Sequence, residues 1–277
     1  MGAWKREMHT LLRPFETVGE LRDALRVMPK GKSGRQVTVE HLLHLDDEQL
    51  AMFLPQAQSI FLGDGATVHK LGIAIMTDKT ESKFRPITIL DALKKCVDGE
   101  IMRRLLRLLY DWGLLRQEQD GFTVGGSIET PVELMARLYE HALANGRELH
   151  VVMLDLMSAY DSVNWLILDI AMRRLHLSEA FIRRTRVTLQ GQWRVMSTAY
   201  GTQAVEHAFG IDGGIPQGNT DSPGLWVILL DLVLTYATDM GQCDAYRMDD
   251  HNHRVFAYAD DGAAVSATRK GVECTTG

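Results

Sequence analysis

Apolar positions recur with a helical period over residues 18–27, and Pro29 ends that run. A second helix is predicted over residues 39–53, with Asp46, Asp47 and Glu48 on its exposed side. Between them Lys30-Gly31-Lys32-Ser33-Gly34-Arg35 follows neither period and must be a loop, either a solvated basic turn or a cradle for a phosphate backbone. It is not a P-loop, because GxxxxGK[ST] is absent. Residues 73–76 and 84–90 read as short strands joined by the polar stretch 77–83, a hairpin with Lys79, Lys83 and Arg85 along its rim. Pro86 cannot donate to a ladder, so its strand belongs at an edge or is irregular. Leucines alternating with Arg103, Arg104 and Arg107 predict a half-buried helix over residues 96–112.

The second half has a tighter rhythm. Gly121, Gly125 and Gly126 make residues 119–127 a loop. Thr130 is placed to cap a helix with Pro131 at its first position, and Asn145-Gly146 ends it after residue 144. Residues 150–154 form a short apolar strand that runs into Asp155. Helices over 165–175 and 178–189 follow, then paired strands over 193–199 and 203–209. A glycine- and proline-rich turn spans 210–223, and a strongly apolar helix runs over 224–238. The last clear unit is a hairpin: 255–259 leads in, Asp260-Asp261-Gly262 turns, and 263–267 leads out. Residues 271–277 carry no structural pattern, and neither a repeat nor a low-complexity tract is present.

Composition narrows the class. A chain of 277 residues, 45% hydrophobic and 24% charged, is neither disordered nor collagen-like. It can bury roughly 70–75% of its unfolded surface. The formal charge of -6 hides an asymmetry. Residues 1–110 hold 17 Lys and Arg against 14 Asp and Glu, a net of +3, and residues 111–277 hold 13 against 22, a net of -9. This is either ordinary surface variation or a division between a polyanion-gripping part and a carboxylate-rich part. Cys96, Cys243 and Cys274 are widely spaced and suit neither a disulfide scaffold nor a zinc site, which predicts a reduced, intracellular protein. Residues 1–13 lack a signal-peptide core. The most apolar stretch, 225–237, is too short to span a bilayer and contains Asp231, so no membrane role is expected.

The chemistry concentrates at carboxylates that end apolar strands. Asp155 follows Val151-Val152-Met153-Leu154, and Asp260-Asp261 follows Val255-Phe256-Ala257-Tyr258-Ala259. Carboxylates gathered in an apolar setting repel one another unless a cation pairs them. If the two strands are neighbours, Asp155 and Asp260 would share a pair of divalent metals, and oxygen-only ligands suit Mg²⁺ or Mn²⁺. The bland alternative is a turn Asp and a capping Asp. Asp249-Asp250, by contrast, lies in a polar run and reads as solvated loop, and His251 and His253 lack a third ligand.

Taken together, these segments resemble the catalytic region of a reverse transcriptase, closest to non-LTR retrotransposon (LINE-like) enzymes and related to those of group II introns. Phe256-Ala257-Tyr258-Ala259-Asp260-Asp261 resembles the YADD-type hairpin, and Asp155-Leu156-Met157-Ser158-Ala159-Tyr160-Asp161 the D-x-x-x-A-[FY]-D motif. Gly214-Ile215-Pro216-Gln217-Gly218 with Ser222-Pro223 resembles PQG-x-x-x-SP, and Phe84-Arg85-Pro86-Ile87 resembles [FY]-R-P-I. Gln119-Asp120-Gly121-Phe122 with Ser127 is similar to Q-x-GF-x-x-GRS, and Lys30 to Arg35 stands where relatives carry a K-x-x-G loop. These motifs occur in family order across residues 28–268.

The resemblance implies an α+β right-hand polymerase: a helical extension over 1–27, fingers over 28–149, a palm over 150–268 whose antiparallel sheet packs with helices, and a tail or truncation point at 269–277. A thumb is not recognised. It implies two Mg²⁺ ions, with Mn²⁺ as a substitute, held by Asp155 and Asp260 with Asp261 as the third carboxylate. Arg85 would bind the triphosphate, with Lys79 or Lys83 standing in for a lysine relatives carry where this chain has Ile75-Met76. Tyr160 would exclude a 2′-hydroxyl, and Gln217 would contact nucleotide or template. Gly214 and Gly218 would admit the nucleic-acid backbone closely, beside Lys30, Lys32 and Arg35. The implied partners are an RNA template, a DNA or RNA primer and dNTPs. Departures are Gly126 in place of the GRS arginine and the acidic Asp221 near a template-facing turn. Two other expectations stand beside the polymerase: a degenerate domain that only binds RNA or protein, and an RNA-dependent RNA polymerase. Against the latter, the hairpin lacks Gly-Asp-Asp.

Overall fold

The computed structural model describes residues 3–29, 37–63, 71–80, 83–198, 200–239 and 244–276. The chain opens with helices α1 (Ala3–Leu11) and α2 (Val18–Arg26), the second capped by Thr17, whose hydroxyl accepts from the Glu20 amide. The predicted helix over 39–53 is instead two, α3 (Val39–His44) and α4 (Asp47–Ala51), and a further helix, α5 (Leu54–Leu62), follows. Leu45 is extended, at φ -67° and ψ 141°, and Asp46 starts α4 by accepting from the Gln49 amide in a capping box. The acidic residues therefore begin a helix where the period alone puts them along one.

The chain divides into two compact units, each discontinuous: residues 1–108 with 160–222, and residues 109–159 with 223–277. In the first, β1 (Leu71–Thr80) pairs antiparallel with β2 (Lys83–Ile89) and parallel with β4 (Gln192–Thr198). Two short strands, β5 (Gly201–Thr202) and β6 (Phe209–Ile211), pair antiparallel with β4. The sheet order β2-β1-β4-β5 leaves β2, with Pro86, on an edge as its missing N–H requires. The strand predicted over 203–209 is a 3-10 turn at Val205–His207. Long helix α6 (Ala92–Asp111) and the capped helices α8 (Trp165–Arg174) and α9 (Glu179–Leu189) complete the secondary structure around this sheet. On α6, Glu100 is buried and bonded by both Arg103 and Arg104, and the Arg104 guanidinium lies 5.5 Å from the Phe15 ring. That makes Phe15 one of the anchors of the amino-terminal helices.

The second unit is built on a three-stranded antiparallel sheet in the order β3 (His150–Asp155), β10 (Asp261–Ser266), β9 (Val255–Tyr258). Helix α7 (Glu129–Ala144) presents Leu138 and Ala142 to Phe256, Ala263 and Val265, together with Tyr246 and Met248 of the hairpin β7 (Tyr246–Met248) and β8 (His251–His253). Ser127, not Thr130, supplies the side-chain oxygen at the start of α7, accepting from the Glu129 amide; Thr130 lies inside the helix. The apolar helix α10 (Ser222–Asp239) follows its predicted bounds closely. Residues 271–276 of the stretch expected to be unpatterned belong to a helix, α11 (Arg269–Thr276). Cys96 is free and buried, its thiol pushed up to about 12 by burial. Cys274 is disulfide-bonded, which corrects the expectation of three free thiols. No helix among the described residues is long and apolar enough to cross a membrane.

Candidate active site

Strand β3 alternates half-buried and exposed positions and ends in an exposed Asp155. Val255, Phe256 and Ala257 of β9 are buried, so the hairpin is driven inward by its apolar side chains and its turn is left at the sheet's end. Tyr258 pairs with Asp261, which makes Ala259-Asp260 a two-residue turn, two residues earlier than the Asp-Gly signal suggests. Gly262 sits inside β10. Because β10 lies between β9 and β3, the residue directly opposite Asp155 is Asp261. Asp260 stands in the turn, and its carbonyl accepts from the Leu156 amide at 3.3 Å. Like charges directly opposed on a sheet repel, and a bound cation relieves that cost.

Two residues outside the predicted set hold this turn. Ala259 has φ 58°, a left-handed conformation that a non-glycine residue adopts at a cost. The buried Trp226 of α10 donates its indole N–H to the Ala259 carbonyl at 2.8 Å. On the other side Gly121 is pressed so close that an added Cβ would lie 2.1 Å from the Ala259 nitrogen. The loop carrying Gly121 pairs with the outer edge of β9: the Ala257 amide donates to Glu118 O at 2.7 Å, and the Asp120 amide to Ala257 O at 3.1 Å. Gly121 is visible in the Gln119-Asp120-Gly121-Phe122 segment, whereas Trp226 is hidden in an apolar helix. The Gly126 departure has a local reason too, since a Cβ there would lie 1.9 Å from Asp120 O.

Among the described residues, no three His, Cys, Asp or Glu side chains converge closely enough to hold a metal ion by themselves. The carboxylates at the sheet's end are nonetheless an oxygen-only donor set. That chemistry fits Mg²⁺, which characteristically takes one or two carboxylates and completes its shell with water and substrate phosphates. Asp249 and Asp250 form the exposed turn between β7 and β8, away from any such set, as their polar surroundings suggest.

In the first unit a separate group assembles around the turn over residues 214–222. The Gly214 amide donates to Val163 O at 3.0 Å, and the Ile215 amide to Tyr160 O at 2.8 Å. The Gln217 carbonyl accepts from the Thr88 amide on β2 at 2.6 Å. Gly218, at φ 103°, lies against the same strand, where a Cβ would come within 2.6 Å of Thr88 O. Tyr160, Gly214, Gln217 and Gly218 are thus brought onto one hydrogen-bonded shelf with the strand that carries Arg85, whose backbone pairs with Thr77. The side chains of Lys79, Lys83 and Arg85, and the whole of Lys30, Lys32 and Arg35, lie outside the described residues. Asp221, expected beside a template-facing turn, is 2% exposed and turned inward.

Residues 77–276 match the family described as reverse transcriptase (RNA-dependent DNA polymerase). No curated relative matches the sequence. Among solved structures, apo telomerase from Candida tropicalis truncated from its C-terminal domain superposes with a TM-score of 0.56 at 11% identity, over 84% of this chain and 53% of that one. Telomerase from Candida albicans in complex with a TWJ fragment of telomeric RNA superposes with a TM-score of 0.51 at 14% identity, over 74% and 39% respectively. The chain therefore spans about half or less of the length of these telomerases, and the likeness is one of fold. With the family matched over most of its length, and a paired-carboxylate hairpin at the end of its antiparallel sheet, this α+β chain belongs to the reverse transcriptase family.

Proposed function

We propose that the chain is an RNA-directed DNA polymerase of the non-LTR type, adding dNTPs to a primer 3′-hydroxyl. The observation that carries this reading is the register of Asp155 with Asp261, with Asp260 in the adjoining turn. Asp155 and Asp261, opposed across the sheet, with Asp260 in the adjoining turn, would hold two Mg²⁺ ions, with Mn²⁺ as a substitute, since their negative charge favours a bound cation. Such ions would supply charge neutralisation at the attacking hydroxyl and at the departing pyrophosphate. The primer 3′-hydroxyl gives up its proton to solvent as its oxygen bonds to the α-phosphorus and the bond from that phosphorus to the bridging oxygen breaks, releasing pyrophosphate, and no side-chain nucleophile takes part. Arg85, with Lys79 or Lys83, binds the triphosphate; a planar guanidinium suits phosphate oxygens. Tyr160 fills the space a ribose 2′-hydroxyl would need. Gln217 touches the nucleotide or template, on a turn whose backbone is tied to β2. Residues 28–149 act as fingers and 150–268 as palm, and Lys30, Lys32 and Arg35 contact the phosphate backbone.

The test is primer extension on an RNA template by the purified chain, with dNTPs or rNTPs in Mg²⁺ or Mn²⁺, beside Asp260→Ala. The reading predicts dNTP-preferring, cation-dependent extension that the substitution abolishes. Preference for rNTPs identifies an RNA polymerase instead. Template binding by a folded chain that never extends identifies a binding module.

A further inference from the structure

We infer that Asp98 is a positioning residue: through Asn219 it fixes the turn that carries Gln217, so that the nucleotide-contacting side chain is set from inside the first unit. The inference rests on the proposed polymerase function for its meaning, but its geometry stands apart from it.

Asp98 lies on α6 and is fully buried. It is bonded by Lys94, one turn earlier on the same helix, and by Arg184 of α9, both of them buried. The third donor is the side-chain amide of Asn219, at 2.9 Å. The same Asn219 nitrogen donates to Asp221 Oδ1 at 2.5 Å, so one amide ties both acids together. Removing two carboxylates and two cations from water is costly, and an apolar contact between a helix and a turn would be the cheaper packing. What the polar arrangement adds is direction, because hydrogen bonds to Asn219 hold only one placement of the turn.

The turn is braced along its whole length. Thr220 donates its hydroxyl to Lys95 O on α6 at 2.5 Å, and Ser222 donates to Pro216 O at 2.8 Å. The Asn219 amide also donates to Pro216 O, at 3.2 Å. On the far side the Thr88 amide on β2 donates to Gln217 O. Gln217 is therefore suspended between a strand and a buried charge cluster. Its half-exposed side chain projects from a backbone with few ways to move.

The experiment uses the full chain with Asn219→Ala, and Asn219→Ser as a milder replacement should the first not fold. Amide hydrogen exchange is read at Thr88 and Asn219, and for comparison in β3 and β10. A charge-assisted bond is worth roughly tenfold or more in an equilibrium. The inference predicts exchange about tenfold faster at the turn, with the comparison strands unchanged. In single-nucleotide addition it predicts a dNTP KM raised about tenfold with kcat within about threefold. Unchanged protection at the turn overturns the inference, as does acceleration spread evenly through both units. A parent chain that adds no nucleotide defeats the polymerase reading alone, and the exchange data still decide whether Asn219 ties the turn to the buried acids.

Discussion

Asp221 is enclosed beside Asp98, Lys94 and Arg184, and burial followed by the Asp98 charge pushes its carboxyl up to about 6. Burial acts on Asp98 too, but Lys94 and Arg184 outweigh it and hold that carboxyl below its ordinary value. The signs are opposite. A raised carboxylate stabilises the fold at low pH and loses that contribution as pH rises through its folded value, whereas Asp98 stabilises at neutral pH and loses its contribution on acidification. The cost of ionising Asp221 builds up as pH rises from about 4 to about 6, between its ordinary and its folded value. Urea unfolding of Asp221→Asn should therefore show a flatter stability profile over pH 4–6 than the parent, and parallel profiles contradict this. The carboxylates at the sheet's end were readable because apolar strands lead directly into Asp155 and Asp260. The direction of Asp221 was not, since nothing local marks the cations that α6 and α9 bring to it. Trp226 was equally hidden: in a run of Leu, Ile and Val its ring reads as core, while its N–H secures Ala259. Trp226→Phe should cost about 1 kcal/mol in urea unfolding and lower kcat for nucleotide addition with little change in dNTP KM. A change confined to KM would place Trp226 in binding instead.

At the scale of elements, periodicity located most helices and strands, and local hydrogen bonding decided where they begin and end. The 39–53 stretch keeps an apolar stripe across its two helices, because Leu42 and Leu50 are both buried. The break between them is set by Asp46, and Pro55 stands in the first turn of α5, which follows. Asp46→Ala removes the α4 cap and should lower stability by about 1 kcal/mol, read as a fall in thermal midpoint; an unchanged midpoint contradicts the capping role. The β9–β10 hairpin was legible from its apolar runs, but its register was not. Asp-Gly favours a turn at Asp261-Gly262, yet the cross-strand pairing with β3 and the contacts at Ala259 shift the turn to Ala259-Asp260. That shift is what sets Asp261 opposite Asp155. Gly121→Ala drives a methyl into the turn's backbone and should cost about 1–3 kcal/mol, measured by urea unfolding; a neutral effect means the loop can withdraw from the turn.

For the whole molecule, order along the chain carried more than any single motif did. The segments that place Asp155, Gln217 and Asp260 are far apart in sequence, and the family match over residues 77–276 spans all of them. Charge asymmetry between the two ends of the sequence was a weaker guide, since it divides at residue 110 while the units interleave. In the proposed function the carboxylates opposed across β3 and β10 serve phosphoryl transfer. The most direct test of this is single-turnover addition of one dNTP to a primer annealed to RNA, comparing the parent with Asp155→Asn at matched Mg²⁺. Removing a group that stabilises charge in the transition state costs about a hundredfold or more. The account predicts at least that loss, with circular dichroism unchanged. Equal rates in parent and variant would contradict it.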